Sequence, residues 1–567
     1  MSRKKPVIWA LALLVSLALV ASACGKSSKK SSGGATGAAT SESVKKGGTL
    51  RYAADQEPTG FNNNTLKDNG TSVVNVMIRV WPSVFLVNPK FQVVLDKELM
   101  DSAEVTNQDP QTIVYKINKK AVWSDGVPIN ADDFTYAWQT QSGDPSIKDP
   151  DGSALKPAST TGYEDIQSVT GSDNGKTVTV VFKKKFADWK SLFSLSLMPA
   201  HIAKTKGFND GFDKFDPAVV VSGGPFKIQS YNTGKDLTLV ANDKYWGTKP
   251  NLDSIVFRFI SDSAQQVPAL QNNEVDMIYP QPQLDLLSQV KAIQGVSSEL
   301  TEGLSFEHLD FNQKNAFLKD PIVRKAVVKA IDRKAIVAAT VGQLDPKAVV
   351  NNNRIYVPNQ PEYQDTSGGQ YDAADPAAAK TALEGDGFKL GADGIYAKAG
   401  KKLSLRLSTT TGNKLREDQG VLIKAQLKLA GIDIKIDNVP SKELFNVRLP
   451  QGNFDIANFA WVATPFPSSN KAIYETATAA GAGGSNYDAY SNPTLDTKMK
   501  DLGGELDAAK VKAGWNEVDT QLWADMATVP LYQKPTYIAF RNTFANVHDN
   551  ASSDGPFWNA ETWGLKG

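Results

Sequence analysis

Residues 111–138 of the chain read QTIVYKINKKAVWSDGVPINADDFTYAW. Ile113, Tyr115 and Ile117 occupy one face of the first part, while Lys116 faces the other way, which is the two-residue period of a strand. The stretch 131–138 then opens with two aspartates, and acidic residues favour the positive end of a helix. A strand followed at once by a helix predicts a mixed α/β fold.

The same patterns continue on both sides of this stretch. Strand alternation recurs at 49–53, 178–182, 237–239 and 255–259. In the second half, Asp320 before Pro321 predicts a capped helix. Strands at 403–407 and 432–436 flank a helix at 415–430, which predicts a β-α-β unit, and a helix at 511–526 precedes a strand at 529–532.

Length and composition limit the class of protein. At 567 residues the chain is long enough for two or more domains, and 41% hydrophobic with 22% charged residues is typical of a folded protein. The 62 basic and 61 acidic residues give a formal charge of +1, and loss of the three basic residues at 3–5 leaves 59 against 61, or −2. This balance gives no indication of nucleic-acid binding.

The N-terminus has the pattern of a lipoprotein signal. Basic residues at 3–5 precede an apolar run at 7–20 that is too short for a permanent membrane anchor, and small residues at 21–23 precede Cys24. Cleavage before Cys24 leaves a thiol for acylation, which predicts a protein tethered by lipid to the extracytoplasmic face of the membrane. The alternative is an ordinary secretory signal with a chance cysteine.

A tether and a folded region follow the signal. Residues 24–46 are rich in Ser, Gly, Ala, Thr and Lys, a composition that cannot bury enough apolar area to fold. We therefore predict a signal peptide at 1–23 and a flexible tether at 24–46. Because Cys24 is the only cysteine, no intrachain disulfide or thiolate metal cage is expected.

The chain offers no recognisable catalytic or metal-binding pattern. His201, His308 and His548 are scattered, and no G-x-S-x-G stretch is present. The glycine-rich stretch 171–177 has the wrong spacing for a phosphate loop and reads better as a β-turn. The paired aspartates 132–133 read better as helix-end residues than as an acid/base couple. We therefore predict no enzyme activity, no metal and no cofactor.

Aromatic residues are the most suggestive feature. The chain has 11 Trp, 16 Tyr and 24 Phe, and most are expected in the core. Phe459, Trp461 and Phe466 follow a strand predicted at 454–459 and lie in loop sequence rich in small residues. Such a loop suits the wall of a binding pocket.

Several short motifs occur in a recognisable order. They are Trp123-Ser124-Asp125-Gly126 after the quoted strand, Gly223-Gly224-Pro225-Phe226-Lys227, Asn242-Asp243-Lys244-Tyr245-Trp246, Ala269 to Asp276, Asp310-Phe311-Asn312, Ala330-Ile331-Asp332-Arg333, Tyr490-Ser491-Asn492-Pro493 and Pro530-Leu531-Tyr532. In this order they resemble the extracytoplasmic solute-binding proteins of peptide and nickel ABC importers, and the resemblance covers nearly all of residues 47–545.

The resemblance implies an α/β, two-lobed, hinged periplasmic-binding-protein clamshell that binds its ligand in the cleft. By analogy, lobe I is 47–302 with an extra subdomain at about 89–218, lobe II is 303–531, and 532–567 returns to lobe I. Closure of two lobes buries a solute and lets backbone groups pair with it, so no nucleophile is needed.

One position departs from the family pattern. Peptide binders of this family carry an aspartate for the ligand's α-ammonium group in a Trp-x-x-Asp pattern, whereas this chain has Trp461-Val462-Ala463-Thr464. A hydroxyl cannot supply that ion pair, so a modified peptide or a glycolipid also remains open as the solute. From position we expect Phe61, Asn62, Asn312, Trp461, Thr464 and Tyr474 to contact the ligand.

The resemblance implies a monomeric, lipid-anchored substrate-binding component of an ABC importer. It would capture a solute, with an oligopeptide as the leading candidate, and deliver it to a permease with its ATPase. The alternative is a clamshell lipoprotein that has left transport and regulates cell-envelope or glycolipid assembly. A third reading, an extracellular hydrolase, has no residues to nominate.

Overall fold

The computed structural model describes residues 43–194, 197–478 and 483–567. The predicted signal peptide, Cys24 and the tether up to residue 42 lie outside the described residues.

Helices are distributed along the described chain. They are α1 Thr71–Met77, α2 Ala131–Gln141, α3 Ala200–Lys206, α4 Ser263–Gln271, α5 Leu284–Lys291, α6 Pro321–Lys329, α7 Arg333–Ala339, α8 Pro376–Gly385, α9 Lys414–Leu429, α10 Ser441–Glu443, α11 Lys471–Tyr474, α12 Pro493–Leu502 and α13 Ala508–Asp525. A π-helical turn, Leu444–Arg448, continues α10, and a 3₁₀ turn, Pro467–Asn470, precedes α11.

The strands alternate with these helices. They are β1 Val44–Lys45, β2 Thr49–Ala54, β3 Phe85–Val87, β4 Val93–Leu95, β5 Met100–Gln108, β6 Gln111–Ile117, β7 Ile166–Ser172, β8 Thr177–Phe182, β9 Phe226–Asn232, β10 Asp236–Ala241, β11 Ser254–Phe259, β12 Met277–Ile278, β13 Val296–Phe311, β14 Lys389–Leu390, β15 Tyr396–Lys398, β16 Lys401–Lys402, β17 Ser404–Ser408, β18 Asp433–Ile436, β19 Ile456–Val462, β20 Thr528–Arg541, β21 Phe544–Ala545 and β22 Gly564–Lys566.

A ten-stranded sheet runs through the molecule in the order β18-β17-β19-β13-β20-β12-β2-β11-β10-β9. Its two central strands are long: β13 has 16 residues and β20 has 14, and they pair antiparallel. Residues 539–540 of β20 pair with β12, while residues 305–311 of β13 pair with β19. These two strands therefore connect the two halves of the sheet.

The pairing of β13 with β20 is interrupted near its middle. The register shifts between Glu302 and Phe306, opposite Lys534. Gly303 lies in this interruption, and a Cβ atom there would approach the carbonyl oxygen of Ala551 to 2.5 Å, so only glycine fits. We propose this interruption as the hinge, close to the boundary expected at 302/303.

We name the two parts by their position relative to this hinge. The first lobe comprises residues 43–302 and 535–567, and the second lobe comprises residues 305–533. The boundary predicted at 531/532 falls inside β20, which continues without a break to Arg541. The boundary at 531/532 was expected by analogy with the family. Pro530 and Pro535 do not end the strand, because both lie beside its register shifts, where a missing N–H is tolerated.

The quoted stretch forms part of a separate four-stranded sheet, β5-β6-β8-β7, packed against α2. Asn130 caps α2: its side chain accepts a hydrogen bond from the helix backbone, and the Asp133 carboxylate accepts from the Asn130 N–H. This confirms the interpretation of the paired aspartates as helix-end residues. Residues 172–175 form the turn between β7 and β8, as expected. The sheet lies within the range expected for the extra subdomain, 89–218.

The predicted β-α-β unit of the second half is confirmed. β17 and β18 are parallel neighbours, and α9 connects them. Asp320 caps α6 through its side chain, with Pro321 in the first turn. Within the described part of the chain, no helix is both long and apolar enough to cross a bilayer.

Candidate binding site

An aromatic wall lies at the end of β19 in the second lobe. The Trp461 ring stacks on Tyr487, with centroids 6.0 Å apart and planes 6° apart, and on His308, with centroids 5.8 Å apart and planes 19° apart. Phe459 meets the Trp461 ring edge-on at 5.2 Å. Trp461 remains partly exposed, so the stack offers an apolar surface held in one orientation.

The predicted contact residue Thr464 lies in the loop that follows. Its Oγ1 accepts a hydrogen bond from the Phe466 N–H at 3.2 Å and lies 3.0 Å from Ser469 Oγ. These bonds hold the loop in a local turn. The hydroxyl of Thr464 therefore makes its hydrogen bonds within its own loop.

Asn312 lines a cavity between the lobes. The cavity has a volume of about 300 Å³ and is bounded by Leu66 and residues 155–157 on the first lobe, and by Tyr487 and residues 449–452 on the second. Asn312 itself is buried, and its Nδ2 donates to the carbonyl oxygens of Gly452 and Phe454, both at 2.8 Å. It thus shapes the cavity wall by fixing the adjacent loop.

Phe61, Asn62 and Tyr474 are buried and do not line this cavity. Phe61 and Tyr474 are fully buried in hydrophobic clusters. Asn62 donates through Nδ2 to the Phe208 carbonyl oxygen at 2.8 Å. These three residues have packing and loop-fixing contacts, and their contact with a ligand stays a prediction.

A group of charged residues surrounds the hinge. The fully buried Glu307 accepts hydrogen bonds from Arg416 Nε at 3.0 Å and from Arg416 Nη2 at 3.0 Å, and it forms an ion pair with Lys534 Nζ at 3.0 Å. Burial by itself would raise the pKa of Glu307, but the two cations outweigh burial and lower it to about 2. Across the hinge, burial raises the pKa of Asp55, against the opposite effect of Lys534 and Arg416.

Two buried carboxyl groups lie behind the aromatic wall. Asp310 and Asp488 are each 2% exposed, and His308 Nε2 lies 3.1 Å from Asp310 Oδ1. Burial, and then the charge of Asp310, raises the pKa of Asp488 well above its usual range. Gln313 Nε2 donates to Asp488 Oδ2 at 3.3 Å, and the Gln313 backbone N–H donates to the Asp488 backbone carbonyl oxygen at 2.9 Å.

Sequence reasoning named Trp461, Thr464 and Asn312 as ligand contacts, which stays a prediction, and it did not name the residues that surround them. Tyr487 and His308 complete the aromatic stack. The sequence around His308 gives no signal of that role, and the only signal at Tyr487 is its position three residues before the motif that starts at Tyr490. Among the described residues, no three His, Cys, Asp or Glu side chains are arranged to hold a metal ion.

Comparison with known proteins gives the family. Residues 95–484 match the model of bacterial extracellular solute-binding proteins, family 5, middle region. The chain belongs to this family. Two relatives from Mycobacterium tuberculosis are the oligopeptide-binding protein OppA, 32% identical over 90% of this chain and 83% of OppA, and the probable monoacyl phosphatidylinositol tetramannoside-binding protein LpqW, 30% identical over 58% and 51%.

Solved structures give the fold. The periplasmic EDTA-binding protein EppA has a TM-score of 0.80 at 30% identity, and it covers 93% of this chain and 98% of its own. The oligopeptide-binding protein AppA from Bacillus subtilis, in complex with a nonapeptide, has a TM-score of 0.82 at 24% identity, with 92% and 100% covered. The α/β two-lobed clamshell expected from the sequence is confirmed.

Family 5 is a family of solute-binding proteins rather than enzymes, as the sequence predicted. The chain is the substrate-binding component of an ABC importer. The candidate binding groups are an aromatic surface, amide side chains and strand backbone.

Proposed function

We propose that this family 5 protein captures an oligopeptide between its lobes and delivers it to an ABC permease. The observation that carries this proposal is the free edge of β19. β13 pairs with one edge of β19 as far as Val462, whereas β17 pairs with the other edge only at Ile456 and Ala457. The Asn458 carbonyl oxygen still accepts a hydrogen bond from Thr409 Oγ1 at 2.8 Å. Within the described residues, no strand occupies that second edge from 459 to 462.

A free strand edge suits a peptide better than a small rigid solute. The unpaired N–H and C=O groups of an edge can hydrogen-bond an extended peptide backbone regardless of its sequence. Phe459 and Trp461 lie on the same strand, and Trp461, which is partly exposed, offers apolar contact for side chains. The names of OppA and AppA support a peptide for this chain, while EppA shows that a relative of similar identity takes a different solute.

The cellular arrangement follows from the N-terminal pattern. We propose that Cys24 carries the lipid, that the tether predicted at 24–46 ends before Val44, and that the protein acts as a monomer on the extracytoplasmic face. Val44 and Lys45 form β1, which pairs with β22, so these two residues belong to the fold. The proposed anchor rests on the residues around Cys24 alone.

Calorimetry and thermal shift with a mixed peptide library test the binding proposal. We expect a Kd in the micromolar range or below, about −8 kcal/mol, and a raised melting temperature. Replacing Trp461 by alanine is expected to weaken binding about tenfold or more, because a large aromatic contact surface is lost. Leu506→Ala, at a side chain that is 59% exposed and outside this wall, is the control.

Mass spectrometry of any co-purifying ligand separates the alternatives. A retained lipid or sugar with no peptide binding would contradict the peptide proposal and agree with Thr464 in place of an aspartate. LpqW matches little more than half of this chain, so the regulatory role in envelope or glycolipid assembly has weaker support. Binding of neither class would favour that role.

A further inference from the structure

The two lobes meet at a second place, away from β13 and β20. Lys471 of the second lobe places its Nζ 2.5 Å from Glu164 Oε1 of the first lobe. The Lys471 side chain is only 2% exposed, and Glu475 Oε2 lies 4.0 Å from the same ammonium group. Burial by itself would lower the pKa of Lys471, but the carboxylates of Glu164 and Glu475 outweigh burial and raise it.

A second set of hydrogen bonds lies near this ion pair in sequence. Asp188 of the first lobe accepts from the Ser468 N–H at 3.1 Å and from Ser468 Oγ at 2.5 Å. The neighbouring Ala187 N–H donates to the Gly503 carbonyl oxygen at 2.8 Å. An N–H and a hydroxyl on one carboxylate form a charge-assisted pair, which is stronger than hydrogen bonds between neutral groups.

The backbones of the two lobes also approach each other closely. A Cβ atom on Gly484 would lie 2.7 Å from the Ala158 carbonyl oxygen, so only glycine allows this approach. Ser485 Oγ donates to the same oxygen at 3.5 Å. Residues 157–188 of the first lobe therefore contact residues 468–503 of the second lobe at several points.

These contacts lie beside the proposed binding site. The 3₁₀ turn with Ser468 and the helix that begins at Lys471 follow directly after the end of β19, which contains Trp461, and the loop of Thr464. On the other side, Pro157 lines the cavity and Ala158 follows it. The strands β13 and β20 join the lobes covalently at the hinge, whereas these contacts join them through side chains and close backbone approach.

We propose that Glu164, Lys471, Asp188 and Ser468 form a clasp that holds the closed lobes over the bound solute. The clasp assigns a role to the four-stranded subdomain of the first lobe. This inference rests on the proposed solute-binding function. The four residues are positioning residues, because they set how long the solute is retained without touching it. If only a fraction of the molecules is closed, the apparent association constant is the intrinsic one multiplied by that fraction. Loosening the clasp lowers the closed fraction and therefore weakens binding.

Hydrogen exchange of the full-length protein without added solute tests the clasp directly. Lys471→Met is expected to speed exchange at the Ala187 amide, and Glu164→Gln is expected to speed exchange at the Ser468 amide. The effect of each substitution is thus measured at an amide of the opposite lobe. A residue with only a local structural role would change exchange on its own lobe alone, and that result would overturn the proposal.

Two further variants guard against a folding defect. Ser468→Ala removes one hydroxyl and is expected to give a smaller change in the same direction. Asp393→Asn breaks an ion pair with Lys402, 2.6 Å long and entirely within the second lobe, and is expected to leave both amides unchanged. A uniform change across all variants would overturn the clasp.

The dissociation rate of a bound nonapeptide pool gives the functional readout. Lys471→Met is expected to speed release about tenfold, since a buried charge-assisted contact of the closed form is lost. Unchanged release together with unchanged exchange would overturn the clasp. Absence of peptide binding in the unsubstituted protein, with exchange behaving as expected, would overturn the peptide proposal and leave the clasp standing.

Discussion

At the scale of single residues, Asp488 is a buried carboxyl group beside the second buried carboxyl of Asp310. Since the folded-state pKa of Asp488 is raised, the folded protein holds a proton that the unfolded chain releases above about pH 4. The free energy of unfolding therefore falls as pH rises from about 4, and the loss is complete at pH values above the folded-state pKa.

Asp488→Asn replaces the carboxyl group by an amide that does not titrate, so the fall in the free energy of unfolding disappears. The amide keeps a side-chain oxygen that can accept from Gln313. We expect the free energy of unfolding to rise by about 1–3 kcal/mol at pH 7.5, and to change little at pH 4. Urea unfolding at both pH values measures the difference. Asp501→Asn, at an exposed position on α12, is the control, and an equal gain there would contradict the assignment.

The pKa of Glu307 is shifted in the opposite direction, downward. Its lowered pKa contributes stability that is present above about pH 4.5, the ordinary pKa of a glutamate, and is lost as pH falls towards about 2. Glu307→Gln leaves the cations of Arg416 and Lys534 buried without their carboxylate. We expect a loss of about 3–5 kcal/mol in the free energy of unfolding at pH 7.

Chemical denaturation of the Glu307 variant checks this value. The matched control is Glu517→Gln, which breaks the Lys498–Glu517 pair at the surface and should leave stability unchanged. A surface pair is worth little because water screens both charges. A small loss at Glu307 would mean that water reaches the hinge.

At the scale of elements, α2 depends on its capping box. Asn130→Ala removes the side-chain oxygen that accepts from the helix backbone and is expected to cost about 1 kcal/mol. Differential scanning calorimetry measures the lower melting temperature. Asn130→Ser keeps an acceptor oxygen and is expected to retain most of the stability, whereas equal losses in both variants would contradict a capping role.

Elements with a clear local signal were predictable from the sequence. The capped helices α2 and α6 and the β-α-β unit around α9 formed where periodicity and end residues indicated them. β20 was predicted as a short strand but is 14 residues long. Only the pairing with β13 shows that the strand continues past Pro535, with both of its prolines beside interruptions in the ladder.

At the scale of the whole molecule, attachment to the membrane is a separate prediction. Cys24→Ser removes the thiol that we propose is acylated. The unsubstituted protein is expected in the membrane fraction with the mass of an acylated N-terminus, and the variant in the soluble fraction without that mass. A variant that stays with membranes would show that the chain attaches by another route.

The sequence alone determined the alternation of strands and helices, the family resemblance and part of the site. The strands and helices depend on residues close together in the chain, so hydrophobic periodicity and helix-capping residues indicate them directly. The family resemblance depends on short motifs that occur in a fixed order along the chain. The tertiary structure decided which residues meet: Glu307 with Arg416 and Lys534, Trp461 with Tyr487 and His308, and Glu164 with Lys471. Most of these partners are far apart in sequence, and no local pattern encodes such contacts, because only the packing of the lobes brings the side chains within bonding distance.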